Sequence, residues 1–114
     1  MSEQVDPTYI DEKDLTLPFT STEIKMPWRI AAIAFQGVST GNPNGTLSVE
    51  VSIMENEWEL LEGCEQIAQD LHIDKKFYFI LPNIGDYASR LRLKWTPSAG
   101  STGQLTVAYR LMPQ

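Results

Sequence analysis

The chain is expected to be an all-β protein, an antiparallel β-sandwich of jelly-roll-like form with an extended N-terminal arm. Three observations predict it. Apolar and polar residues alternate with a period of two in several segments, turn signals recur about every ten residues, and no long amphipathic helical pattern interrupts them. The chain has 114 residues, the size of a single domain that buries roughly two thirds of its unfolded surface. Its 42% hydrophobic and 21% charged residues are ordinary for a packed fold.

The first 18 residues carry Pro7, Pro18 and several acids, a composition that builds no core by itself. They read as an arm, with Tyr9, Ile10, Leu15, Leu17 and Phe19 as apolar anchors for another surface. The expected division is an arm over 1–20 and a β-sandwich over 21–114. Trp28 to Val38 reads as a largely buried strand that Pro27 opens and Gly37 ends. Ser39 to Gly45 is turn chemistry throughout, and it predicts a hairpin. In the strand that follows, Leu47, Val49, Val51 and Ile53 alternate with Thr46, Ser48, Glu50 and Ser52, so one face is expected to be buried.

Asn56-Glu57 reads as a turn before a short strand around Trp58 to Leu61. The acid-rich stretch from Glu62 to Asp74 is open to a short helical turn or another strand. Lys76 to Leu81 is aromatic and β-prone, and Pro82, Asn83 and Gly85 stop it. From Ser89 to Thr96, Leu91, Leu93 and Trp95 share one face while Arg90, Arg92 and Lys94 make a basic stripe on the other. After a turn from Pro97 to Gly103, the last strand sets Leu105, Val107, Tyr109 and Leu111 against Thr106, Ala108, Arg110 and Met112. Two stretches echo one another: Ser39-Thr40-Gly41 followed by Gly45 to Met54, and Ser101-Thr102-Gly103 followed by Gln104 to Met112. Shared strand-and-turn grammar and a duplicated unit both account for this.

Charge bounds the partners. A net charge of −6 argues against direct nucleic-acid binding, which needs cations to replace the counterions of phosphate. Met1 to Asp14 holds five acids against Lys13, while Tyr87 to Gln114 holds Arg90, Arg92, Lys94 and Arg110 and no acid. The two ends are electrostatically complementary, which permits arm-to-body contact within one subunit or between neighbours. No apolar run is long enough to cross a bilayer and the N-terminal stretch is acidic, so no membrane partner and a cytoplasm-like compartment are expected.

Catalytic chemistry finds little support. His72 is the only histidine and Cys64 the only cysteine, so a nucleophile-base pair and a thiolate zinc cluster are hard to assemble. Acidic neighbours would raise the Cys64 thiol pKa. Glu55, Glu57, Glu59, Glu62 and Glu65 match no calcium loop, and the glycine-rich turns lack the lysine of a phosphate-binding loop. No enzyme, cofactor or metal is expected. Trp28 and Trp58 remain open as a sugar-stacking platform, whereas the parity of Trp95 puts it in the core.

The run Gly45-Thr46-Leu47-Ser48-Val49-Glu50-Val51-Ser52-Ile53, followed by Trp58, resembles structural proteins of tailed-phage virions. So do Gly85-Asp86-Tyr87-Ala88-Ser89-Arg90-Leu91-Arg92-Leu93-Lys94-Trp95 and Ser101-Thr102-Gly103-Gln104-Leu105-Thr106-Val107. The group it most resembles is the small capsid decoration proteins, also called cement or stapling proteins. This resemblance implies a homo-oligomer, dimer or trimer, on the outer capsid surface of a virion assembled in the host cytoplasm. It also implies bridging of major capsid protein subunits, arms laid along them, and no catalytic residues. The expected protein interface is Tyr9, Ile10, Leu15, Leu17, Phe19, Arg90, Arg92, Lys94 and Arg110. The alternative is a carbohydrate- or receptor-binding β-sandwich module of a phage tail or baseplate.

Overall fold

In the computed structural model, which describes residues 7–26, 30–54 and 56–113, the period-two segments form two antiparallel sheets that share one core. The strands are β1 (Thr8–Asp14), β2 (Phe19–Thr20), β3 (Ile24–Lys25), β4 (Ile30–Ser39), β5 (Gly45–Ser52) and β6 (Glu59–Leu60). After the helix α1 (Gln66–Asp74) come β7 (Lys76–Pro82), a 3-10 turn at Ile84–Asp86, β8 (Arg90–Pro97) and β9 (Gln104–Pro113). One sheet has the order β1-β9-β4-β7. The other has the order β2-β8-β5-β6, with β3 also pairing with β8. An all-β sandwich is therefore the architecture.

Alternation decides which side of each strand is buried. Ile33 and Phe35 on β4, Leu47 and Val49 on β5, Leu91, Leu93 and Trp95 on β8, and Leu105 and Val107 on β9 fill the space between the sheets. Phe35 stacks on Phe79 with ring centroids 4.9 Å apart. Trp95 is 1% exposed and its indole N–H donates to the Leu15 carbonyl at 3.1 Å. A buried Trp keeps its polar atom only where such an acceptor is supplied.

Three expectations change. Residues 8–20 are not a separate arm, because β1 pairs with β9 and β2 with β8. Leu15 is fully buried between them, and the expected boundary at residue 20 falls between two short strands that pair with the same β8. The apolar anchors that suggested a foreign surface are met by this chain's own sheets. Residues 1–6 lie outside the described residues, as do Pro27 and Trp28.

The segment from Ser39 to Gly45 is not a hairpin. It crosses from one sheet to the other, since β4 already has β7 and β9 on its two sides. Glycine, asparagine and proline suit a crossover as well as a hairpin, so the turn residues alone do not distinguish them. The buried face of β5 also stops short of Ile53, which is 72% exposed. Ser52 ends the strand: its hydroxyl donates to the Met54 carbonyl and bends the chain away.

The acid-rich stretch forms α1, with Ile67 and Leu71 buried one turn apart. It packs beside β7, β5 and β4. Its C-terminal end is tied to the crossover loop, where His72 Nδ1 lies 2.8 Å from the Pro43 carbonyl oxygen and Lys75 Nζ donates to Asn42 Oδ1 at 3.3 Å. A carbonyl only accepts, so Nδ1 carries the hydrogen.

With β3 set aside, the two sheets correspond in strand order. Mapping β4 onto β8 and β9 onto β5 carries the order β1-β9-β4-β7 onto β6-β5-β8-β2. The crossover loops obey the same exchange. Thr40 N donates to the Gln104 carbonyl and Thr102 N to the Asn42 carbonyl, each at 3.0 Å. Gln104 N donates to Thr40 Oγ1 at 3.1 Å and Asn42 N to Thr102 Oγ1 at 2.9 Å. Ser39-Thr40-Gly41 and Ser101-Thr102-Gly103 thus clasp each other across a local pseudo-twofold.

Candidate functional site: the outer face of the four-stranded sheet

The outer faces of the two sheets differ in kind. On the sheet built around β5 and β8, Thr46, Ser48, Glu50, Lys94 and Arg92 make a polar surface held by two ion pairs. Arg92 Nε contacts Glu50 Oε1 at 2.8 Å, and Arg90 contacts Glu23 at 3.1 Å. The Arg92 guanidinium also sits 4.0 Å from the centroid of Trp58. A solvated face of an antiparallel sheet reads this way.

The outer face of the other sheet carries Ala32, Ala34, Gln36 and Val38 from β4, Tyr78 and Ile80 from β7, Ala108, Arg110 and Met112 from β9, and Tyr9 from β1. The register sets Tyr78, Gln36, Ala108 and Tyr9 in one row across all four strands. Tyr9, Val38, Tyr78 and Ile80 are between 45% and 67% exposed. Three steps between strands of about 4.8 Å place the two tyrosines on strands roughly 14 Å apart. Between them lies an open groove of about 290 Å³, lined by Pro7, Tyr9, Ala34, Gln36, Tyr78, Ala108 and Arg110.

Apart from Gln36, Lys76 and the terminal Ser39, β4 and β7 are apolar on both faces, close to the pattern of strands covered on both sides. Within the described residues, this chain covers only one. Arg110 is the one charge inside the groove and makes no ion pair among the described residues. Lys76 stands beyond Tyr78, with Asp70 and Asp74 of α1 nearby.

The residues expected at an interface are dispersed. Tyr9 and Arg110 meet in the groove. Arg90, Arg92 and Lys94 lie on the opposite sheet, two of them in ion pairs. Leu15 is core, Ile10 and Phe19 are half-buried against it, and Leu17 is exposed in the turn after β1. Tyr78, Ile80, Ala34, Gln36 and Ala108 were absent from the expectation. Their signal was present in Lys76 to Leu81, where Tyr78 and Ile80 occupy the positions at which a half-buried strand would carry polar residues.

A second apolar surface lies at the bend after β5, where Ile53, Met54 and Tyr87 surround a hollow of about 500 Å³ with Glu57 and Glu59 at its margin. Cys64 is buried nearby. Its thiol is pushed above the ordinary value by burial first and by the Glu65 charge second. No group of three or more metal-ligating side chains occurs among the described residues.

Compared with known proteins, the chain matches no family model, no curated protein and no solved structure.

Proposed function

We propose that the chain is an assembly module that works by docking the outer face of its four-stranded sheet on another protein, and that its setting is the surface of a tailed-phage capsid. The observation that carries the docking is the uncovered, largely apolar face of β4 and β7, beside a second sheet whose outer face is mostly polar and held by two ion pairs, with Leu60 and the Trp58 ring only at its β6 edge. A contiguous apolar patch of this kind marks an interaction surface. The capsid setting rests on the resemblance of the β5, β8 and β9 runs to decoration proteins. In that setting the chain bridges major capsid protein subunits, and contacts repeated by symmetry make modest affinities additive in avidity.

The experiment is to mix the purified chain with mature, undecorated tailed-phage capsids and follow co-sedimentation and heat resistance. Binding with a raised capsid melting temperature is expected. Tyr78→Lys should weaken it by at least about tenfold, the effect of about 1.4 kcal/mol. Removing residues 1–6 tests the arm, whereas a cut at residue 18 would also remove β1 and Leu15 from the fold. Failure to bind capsids rejects the setting, and binding indifferent to Tyr78→Lys rejects the face.

One observation favours the second reading, a glycan-binding module: two exposed tyrosines flank Gln36 and Arg110. A glycan array should then show sugar binding lost in Tyr78→Ala. Trp58 is a weaker platform because Arg92 already occupies one face of its ring.

A further inference from the structure

We infer that the groove between Tyr9 and Tyr78 is a bed for a single amphipathic helix of a partner protein, with a carboxylate of that helix meeting Arg110. This rests on the docking face proposed above and names its occupant. The floor is the two central strands, where Ala34 and Ala108 are small and Gln36 and Arg110 supply the polar groups, and the walls are the tyrosines of the outer strands. A groove so built runs parallel to β4 and β9. Its span of roughly 14 Å between wall strands fits a helix about 10–12 Å across, side chains included.

Other occupants fit less well. An extended strand binds by adding to a sheet edge. The β1 edge carries Asp11, Glu12, Lys13 and Asp14 and a register shift between Ile10 and Lys13, while β7 has α1 packed against it. Charges and bulges protect an edge, and so does a covering helix. A second copy packed face to face would set Arg110 against β4, β7 and β9, which present no acid on this face, and would offer acids only from the margins, on β1 and on α1 beside Tyr78. A desolvated guanidinium calls for a carboxylate. The complementary partner is therefore apolar along one helical stripe and acidic at its flank.

The test is an NMR titration of the isotope-labelled full chain with two designed helical peptides of about 18 residues, about 27 Å long as helices. Both carry the same leucine-alanine stripe; one has glutamate flanks, the other lysine flanks. Shifts confined to the amides of Ala34, Gln36, Tyr78, Ala108 and Arg110 are expected, with the acidic peptide at least about fivefold tighter, and Arg110→Glu should reverse the preference. No binding of the acidic peptide, equal binding of both, or shifts on β5 and β8 overturns the inference. So does a dimer in sedimentation equilibrium that Tyr78→Lys dissociates, or the same shift pattern on adding simple sugars. Capsid binding that persists when the peptide result fails leaves the docking face standing without the helix. Peptide binding without capsid binding rejects the capsid setting alone.

Discussion

Gly41 and Gly103 lie back to back where the two crossover loops clasp, so close that a Cβ on Gly41 would stand 2.6 Å from the Gly103 Cα. Both have left-handed backbones, with φ of 71° and 106°. Glycine is required twice over, for the φ and for the approach of two main chains. Because the clasp joins β4 to β5 and β8 to β9, it fixes how the two sheets face each other. The groove on β4 and β9 depends on that relation.

Gly41→Ala should therefore cost about 3 kcal/mol, combining left-handed strain of about 1 with overpacking of 1–3. Gly100→Ala is the control. Gly100 also has a positive φ, but nothing lies within 4 Å of its added Cβ. It should cost only about 1 kcal/mol. Urea denaturation of both variants measures the difference, and equal losses would mean that the clasp is not tightly packed.

The pseudo-twofold is broken at its serines. Ser101 Oγ accepts from Asn44 N at 3.0 Å, whereas the corresponding Ser39 Oγ is buried with no protein partner among the described residues. Removing a satisfied acceptor strands its donor, while removing an unsatisfied hydroxyl relieves a desolvated group. Ser101→Ala is expected to lower stability by about 1 kcal/mol and Ser39→Ala to leave it unchanged or raise it. Thermal melts of the two variants with opposite signs support this reading. Equal destabilisation counts against it.

Arg92 links the polar sheet to the segment before β6, because it bonds Glu50 and covers the Trp58 ring. The sites are partly exposed, so the cation-π coupling should be modest, about 0.5–1 kcal/mol in a double-mutant cycle of Arg92→Ala and Trp58→Ala. Neither substitution should change docking through Tyr78, which lies on the other sheet. A coupling of zero would show that the contact is incidental. A loss of capsid binding in Trp58→Ala would move the site to the opposite face.

Strand positions were legible where burial is one-sided, as in Leu91-Arg92-Leu93-Lys94-Trp95, because period two then maps directly onto inside and outside. Sheet membership was not. Whether Asn42 to Asn44 turns a hairpin or a crossover depends on β7 and β9 taking both sides of β4, information that lies far along the chain. The N-terminal segment misled for a related reason: its sparse apolar residues suit an arm, yet β9 had an unpaired side for β1 to fill. The site stayed hidden because Tyr78 and Ile80 alternate with the equally apolar Phe77 and Phe79, so period two does not say which pair faces out until the register puts Tyr78 and Ile80 outside. The basic stripe was visible as a pattern, but Glu23 and Glu50, which neutralise two of its members, come from distant parts of the chain, the link between β2 and β3 and the strand β5.

Cys64 and Tyr87 make stability fall on the alkaline side. Burial is the leading cause that raises both pKa values. The Glu65 charge adds to it at Cys64, and the Cys64 charge adds to it at Tyr87. A group whose folded pKa lies above its unfolded value favours the folded state fully below the unfolded pKa, and that contribution is lost as pH rises toward the folded one. For the thiol the loss begins near its ordinary value of about 8.5, with a slope of at most about 1.4 kcal/mol per pH unit for one proton. Wild-type stability in urea should thus decline from about pH 8 to 9.5, below the ordinary tyrosine range, and Cys64→Ala should flatten the decline. The same burial should make alkylation by iodoacetamide slow in the folded chain and fast in urea. A thiol that reacts at the same rate in both states, or a pH profile unchanged in Cys64→Ala, would place Cys64 in a solvated position and remove it as the cause.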